Sequence, residues 1–213
     1  MTESNPLQRT AEWLHQRAGC LTASRAAAVL NRSKRTGEPL QAYYDLRDQL
    51  IAERITGQSI GVGTTAAMQW GIDHEGDARV AYQVETGEVV DLVGFVLHPT
   101  IARLGASPDG LVGTDGLVEI KCPNTTTHLR RIATRIVPHE YRPQMLVQML
   151  CTGRRWCDFV DYDPRLTGAY ERYRLWVVRY EPTAEELDDA RQKCVDFLKE
   201  VEDEMQALLE KIA

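Results

Sequence analysis

Within thirteen residues, 109–121, the chain places an aspartate, a glutamate and a lysine: Asp109 ahead of a glycine, then Glu119 and Lys121 two positions apart in GLVEIKC. Carboxylates are hard oxygen donors of the kind Mg²⁺ and Mn²⁺ prefer, and such sites leave positions for water and phosphate. A neighbouring ammonium can orient a nucleophilic water or stabilise charge on a phosphate under attack. The set therefore has the composition for metal-assisted phosphodiester cleavage. A second reading stays open on the residues alone, because acidic-x-Lys triplets are frequent on strands. In that reading Glu119–Lys121 is a solvated pair and SPDG (107–110) a simple type I turn. The strand placement, the Asp before a Gly and Pro123 closing the strand favour the site.

The elements around this stretch must hold it. On a strand, Leu117, Glu119 and Lys121 share one face, with about 7 Å between the last two, while Val118, Ile120 and Cys122 form the core face. The Asp115-Gly116 pair is a hairpin signal that can bring Asp109 back toward Glu119. Strands are expected in 88–98 and 102–107 about a turn at His98-Pro99, and in 155–163 and 173–181 about an Asp-Pro turn. A helix is expected over 140–153. Upstream, a short helix from Arg9, a turn at Gly19 and an alanine-rich helix capped near Thr22 or Ser24 precede the basic loop NRSKRTGEPL. Helical spacing of Tyr44, Leu46, Leu50, Ile51 and Ile55 marks 41–56. A Gly-rich break leads to another helix ended by Gly87. The capping-box pattern Thr183 to Glu186 opens a last amphipathic helix, 183–212. Its stripe (Leu187, Ala190, Cys194, Phe197, Val201, Met205, Leu208, Ile212) is expected to pack on the domain. With no repeat or linker in sight, one mixed α/β domain over 1–213 is the expectation.

Composition sets the outer bounds. At 43% hydrophobic and 26% charged residues the chain can build a core and lacks a disordered signature. No apolar run suits a signal peptide or a membrane span. Five cysteines, an odd number without CxxC spacing, point to a reduced, cytosolic chain. The net charge of −6 conceals an asymmetry: residues 181–213 carry eleven acids and four bases, residues 121–180 eleven bases and five acids. The middle is basic enough to meet phosphate. For any single charge, a solvated face remains the alternative.

SPDGL…GLVEIKCP resembles the core of the PD-(D/E)xK nucleases and, within them, the phage lambda exonuclease (YqaJ-like viral recombinase, alkaline exonuclease) family. The likeness continues through Trp13, RAG from Arg17 and TAS at 22–24, then WGIDHEGDAR with Glu75, YRPQML from Tyr141 and DYDPRL from Asp161. These ordered motifs span about 150 residues. The chain departs from the pattern at Leu146, where a second glutamine is expected, and Gln148 lies half a helical turn from that position.

The resemblance implies a restriction-endonuclease-like core with a central mixed sheet flanked by helices. It implies two Mg²⁺ ions (Mn²⁺ substituting) on Asp109, Glu119, the Ile120 carbonyl and Glu75. Lys121 would position or activate water, Gln144 orient the nucleophile, and Arg17, Ser24 and Ser107 hold a 5′-phosphate. It further implies 5′→3′ degradation of one strand of duplex DNA, leaving 3′ single strands for recombination. A homotrimeric ring, a single-strand-annealing partner and a cytoplasmic setting in a bacterial host, of phage or prophage origin, follow from it too. The alternatives are an endonuclease or resolvase of the same fold, and a non-catalytic DNA-end-binding protein.

The other candidates are weaker. Arg32, Lys34 and Arg35 offer sequence-blind backbone contacts or simply a solvated loop. His74, His98, His128 and His139 lack zinc spacing and read as surface or packing residues. A four-cysteine iron–sulfur site, found in some related exonucleases, is disfavoured without CxxC and with Cys194 on an apolar stripe. Buried free thiols fit better.

Overall fold

The turn at Gly19 shows how the chain builds the frame of the site. In the computed structural model, which describes residues 8, 10–61, 63 and 65–213, Gly19 adopts φ +69, a conformation that costs glycine little. Its amide donates to the fully buried Glu53 at 2.9 Å, and Arg25 makes a forked ion pair with the same carboxylate at 2.9 and 3.1 Å. Glu53 thereby ties helix α3 (Gln41–Thr56) to the segment joining α1 (Ala11–Arg17), strand β1 (Leu21–Thr22) and α2 (Ala26–Leu30). Such a buried carboxylate persists because every side of it is hydrogen-bonded. The first seven residues, Arg9 and the central residues of the Gly-rich break (62 and 64) lie outside the described residues, as do the corresponding parts of the single-domain expectation.

The chain continues through α4 (Ala66–Thr86), β2 (Val90–Asp91), β3 (Val96–Leu97), β4 (Leu104–Ala106), β5 (Gly110–Val112) and β6 (Gly116–Lys121). Then come α5 (Thr125–Thr134), α6 (Arg142–Thr152), β7 (Trp156–Tyr162), β8 (Leu175–Tyr180) and α7 (Ala184–Ile212). The fold is mixed α/β. A five-stranded sheet has the order β2-β5-β6-β7-β8, with β6 and β7 parallel and the other pairs antiparallel. A small sheet, β1-β4-β3, lies apart from it in hydrogen bonding. The single strand expected over 88–98 is in fact two short strands that join different sheets. The expected Asp-Pro link between β7 and β8 is a longer corner containing a 3₁₀ turn, Gly168–Tyr173.

Both faces of the main sheet are covered. On one, Val118, Ile120 and Cys122 pack with Ala78 and Tyr82 of α4; on the other, Leu117 and Phe159 pack with Met145 and Met149 of α6. Full burial of side chains of this size stabilises by roughly 1.5–3 kcal/mol each. The strand expected to have one polar face thus has two buried ones, and that decides the environment of Glu119.

Helix α3 has the expected bounds, but its buried aromatic is Tyr43; Tyr44 and Ile55 are exposed. Tyr43 meets Phe197 of α7 edge-on at 4.8 Å and donates to Glu200 at 2.6 Å. The Thr183–Glu186 capping box is formed in both directions. Packing of α7 runs through Ala190, Cys194, Phe197 and Val201 and fades after Met205, and Leu208 and Ile212 are exposed. All five cysteines are free and buried. No helix among the described residues is long and apolar enough to cross a membrane.

Candidate active site

The register of the sheet assembles the central residues. Gly110 pairs with Val118 in the antiparallel β5–β6 ladder, so Asp109 lies opposite Glu119. The Asp109 carboxylate accepts from the Ile120 amide at 2.7 Å, which fixes its rotamer against β6. Glu119 is fully buried. Its Oε1 accepts from Lys121 Nζ and from Gln144 Nε2 at 2.6 Å, and its Oε2 from Gln148 Nε2 at 2.6 Å. The solvated-pair reading of Glu119–Lys121 therefore fails, because α6 roofs that face of β6. The half-turn offset of Gln148 does not remove it from the site either. Gln144 and Gln148 are one turn apart on one face of α6, and both reach the same carboxylate.

Lys121 Nζ also sits 5.2 Å from the centre of the Tyr141 ring, a cation–π contact. Burial alone would favour the neutral amine, but Glu119 and Asp109 outweigh it and hold the Lys121 pKa above its ordinary value. The Asp109 carboxyl is displaced well upward, first by burial and then by repulsion from Glu119, with Glu75 adding to the push. Glu75 projects from α4 into the same cavity, and Arg79, one turn further along α4, lies 3.6 Å from its carboxylate.

This cavity, about 840 Å³, also takes in Arg17, Ser24 and Ser107. Arg17 stacks 4.0 Å over the Trp13 ring and donates to Ser107 Oγ and Ser24 Oγ at 3.3 Å each; the Trp13 indole donates to Ser107 at 2.9 Å. A guanidinium held flat beside two hydroxyls is well suited to a terminal phosphate. Burial and the nearby Arg25 bring the Arg17 pKa down to about 10. Of the two caps expected, Thr22 stands at the N-cap of a 3₁₀ turn but makes no side-chain cap bond, and Ser24 lies inside that turn. The chain enters α2 through this turn, Ala23–Arg25, so the helix starts beyond Ser24, whose hydroxyl is 3.2 Å from that of Thr22.

Arg32, Lys34 and Arg35 lie outside the cavity. Arg32 donates to the Val29 and Asn31 carbonyls at the end of α2, while Lys34 and Arg35 are exposed. Among the histidines, His128 is fully buried: it contacts Asp161 at 2.5 Å and the Tyr173 carbonyl at 2.7 Å through its two ring nitrogens. Asp161 also accepts from Arg131 at 2.9 Å, and Arg131 donates to the Tyr141 hydroxyl at 2.8 Å. This support of the Lys121 side of the site was not anticipated. The period-2 spacing of Asp161 and Asp163 along a buried strand was the available signal.

Among the described residues no group of three or more His, Cys, Asp or Glu side chains is gathered closely enough to hold a metal ion by itself. The open donor set of Asp109, Glu119, Glu75 and the Ile120 carbonyl nevertheless fits a divalent cation that retains water ligands. Two features of the structure support the fit. Asp109 is raised first by burial and then by the opposed Glu119 carboxylate, a repulsion that a cation between them would relieve, and the buried Gln148 Oε1 is an acceptor with no donor.

Similar proteins share this architecture. LHK-Exo, an alkaline exonuclease from Laribacter hongkongensis, is 43% identical with a TM-score of 0.86, covering 95% of this chain and 98% of that one. LHK-Exo in complex with dAMP gives the same values. A phage-related exonuclease from Haemophilus somnus 129PT, 14% identical with a TM-score of 0.67 over 91% of this chain and 96% of that one, shares the fold. None of the curated proteins compared with the chain matches it significantly. The model of the YqaJ-like viral recombinase domain matches residues 12–155, and with that match the chain belongs to the YqaJ-like viral recombinase family.

Proposed function

We propose that the protein is a Mg²⁺-dependent exonuclease that degrades one strand of duplex DNA from its 5′ end, releasing mononucleotides and leaving a 3′ single strand for annealing. The observation that carries this reading is the single cavity joining Asp109 and Lys121, with Glu119 beneath them, to the Arg17–Ser107–Ser24 group. One end of that cavity is suited to a terminal phosphate, and the carboxylates stand beside it. Mononucleotide release is in keeping with the similarity to LHK-Exo, which is known in complex with dAMP.

Asp109, Glu119, the Ile120 carbonyl and Glu75 would hold two Mg²⁺ ions, with Mn²⁺ able to substitute. Bound there, the ions supply Lewis-acid stabilisation of the attacking and leaving oxygens of an in-line displacement. The protein's own groups do the positioning. Arg17 and Ser107 hold the 5′-phosphate and set which phosphodiester reaches the carboxylates. Lys121, kept as an ammonium, orients water and steadies charge on the phosphate. Gln144 and Gln148 fix the Glu119 carboxylate. Arg32, Lys34 and Arg35 contribute at most a salt-sensitive contact to the duplex beyond the site.

A ring of three subunits would keep duplex threaded through successive turnovers, and the acidic α7 and basic middle are unlike patches that suit a head-to-tail interface. Light scattering should then give about three times the 24.1 kDa chain mass. A single-strand-annealing protein is the expected partner, within the cytoplasm of a bacterial host. The reading is tested by incubating linear and closed circular duplex with and without Mg²⁺. Linear DNA should become acid-soluble only with Mg²⁺ while circles persist; cleavage of circles would replace the reading with an endonuclease.

A further inference from the structure

The geometry points to a second anion-binding position in the cavity, built on Arg165, that takes the phosphodiester one nucleotide 3′ of the bond being cut. This inference rests on the exonuclease reading. It begins with strand order. β6, carrying Glu119 and Lys121, lies between β5 and β7. Ser107 and Asp109 lead into β5 on one side. On the other side, β7 runs parallel to β6 with Lys121 opposite Asp161, and Asp163 follows just past its end. With neighbouring strands about 4.8 Å apart, the two flanks stand roughly 10 Å from each other across the catalytic strand. Arg17 belongs to the first flank and Arg165 to the second, and both line the cavity.

Arg165 is braced in three ways. Its Nε donates to Asp163 Oδ1 at 2.6 Å, its Nη2 donates to the Pro123 carbonyl at 2.6 Å, and its guanidinium lies 4.5 Å over the Trp70 ring. Asp163 is fully buried, and its Oδ1 also accepts the Arg165 amide at 3.0 Å. These contacts leave Nη1 without a bond among the described residues, on a side chain that is 41% exposed. An arginine fixed in this manner has already lost the rotamer freedom that binding would otherwise cost. Its neighbour Arg131 also lines the cavity, but its guanidinium is engaged by Asp161 and Tyr141.

A purely structural Arg165, bracing the corner after β7, would be indifferent to the charge of one linkage in the DNA. The test uses a 5′-phosphorylated duplex in which a neutral methylphosphonate replaces the second phosphodiester of the degraded strand. Equilibrium binding is measured in Ca²⁺, and the first-turnover rate in Mg²⁺. Wild type should bind the neutral-linkage duplex roughly tenfold more weakly than native duplex. Arg165→Gln, which keeps a donor for Asp163, should bind native duplex roughly tenfold more weakly, lose nothing further on the neutral linkage, and lower the salt slope by about one. Arg165→Lys, which keeps the charge but loses the fork, should fall between. An equal further loss for Arg165→Gln on the neutral linkage, or a wild type indifferent to it, overturns the proposal. Wild type that releases no nucleotide in Mg²⁺ counts against the exonuclease reading instead, and the binding comparison still decides the role of Arg165.

Discussion

Replacing Gln148 by leucine sets two effects of similar size against each other. The wild-type Nε2 donates to a buried carboxylate at 2.6 Å, and losing a hydrogen bond to a charged group costs about 1.5–3 kcal/mol. The same side chain buries Oε1 without a donor, and relieving an unsatisfied buried group returns about 1–3 kcal/mol. Leucine is close in volume and apolar, and Met145, Met149 and Phe159 lie in the adjoining core. The substitution also leaves the buried Glu119 Oε2 without its donor, so the loss should outweigh the relief and urea unfolding of the metal-free protein should fall by about 1–3 kcal/mol. Activity should fall as well. Glu119 keeps only Lys121 and Gln144 as donors, and removing a partner that orients a metal-binding group costs roughly 10–100-fold in metal affinity or rate. Single-turnover digestion across a Mg²⁺ titration reads that loss. A stability loss above about 3 kcal/mol, or an unchanged rate at every Mg²⁺ concentration, would refute the reasoning. Gln148→Glu is the counterpart: a second carboxylate against buried Glu119 should destabilise strongly near neutral pH and recover as pH falls.

Further expectations concern single groups. Lys121→Ala should slow cleavage by roughly 10²–10³-fold with DNA binding in Ca²⁺ retained, whereas Asp109→Ala should also abolish metal binding by calorimetry; wild-type turnover in either variant removes the proposed chemistry. Arg17→Ala should slow digestion of 5′-phosphorylated ends far more than 5′-hydroxyl ends. Equal slowing on both kinds of end would take Arg17 out of phosphate binding. His128→Ala should cost about 3–5 kcal/mol by leaving Asp161 short of a partner. Burial works against the His128 cation, but Asp161 and the Tyr173 carbonyl prevail and raise its pKa above 6.5. Its contribution is therefore full below pH 6.5 and is lost as pH climbs through the raised value, so unfolding curves whose wild-type-to-variant gap widens above neutrality would contradict it.

The parts of this molecule that could be read in advance were those governed by local rules. Helix α3 and the Thr183 capping box were legible because periodicity and capping are short-range. The Asp109–Glu119–Lys121 set was legible because a hairpin returns one strand onto the next. Long-range packing hid the rest. Helix α5 was missed because its first turn, TTT after the Asn124 cap, is β-branched and its apolar residues are few. Tyr43, rather than Tyr44, faces the core because α7 covers that side of α3. Burial of Glu119 depended on α6 closing over a strand face that alternation alone assigned to solvent. His128, Arg131 and Asp161 meet only when α5 docks beside β7, and Glu53 becomes a hub only when Gly19 turns against it.

Polarity and end-dependence can be read together from a linear duplex with a 5′-phosphate on each strand, one strand labelled at its 5′ end in one sample and at its 3′ end in another. With Mg²⁺, the 5′ label should leave at once as a mononucleotide, while the 3′-labelled strand shortens steadily and its label stays in long single strands until late. Early release of the 3′ label, or internal fragments without mononucleotides, would contradict a 5′→3′ exonuclease built on Arg17, Asp109, Glu119 and Lys121.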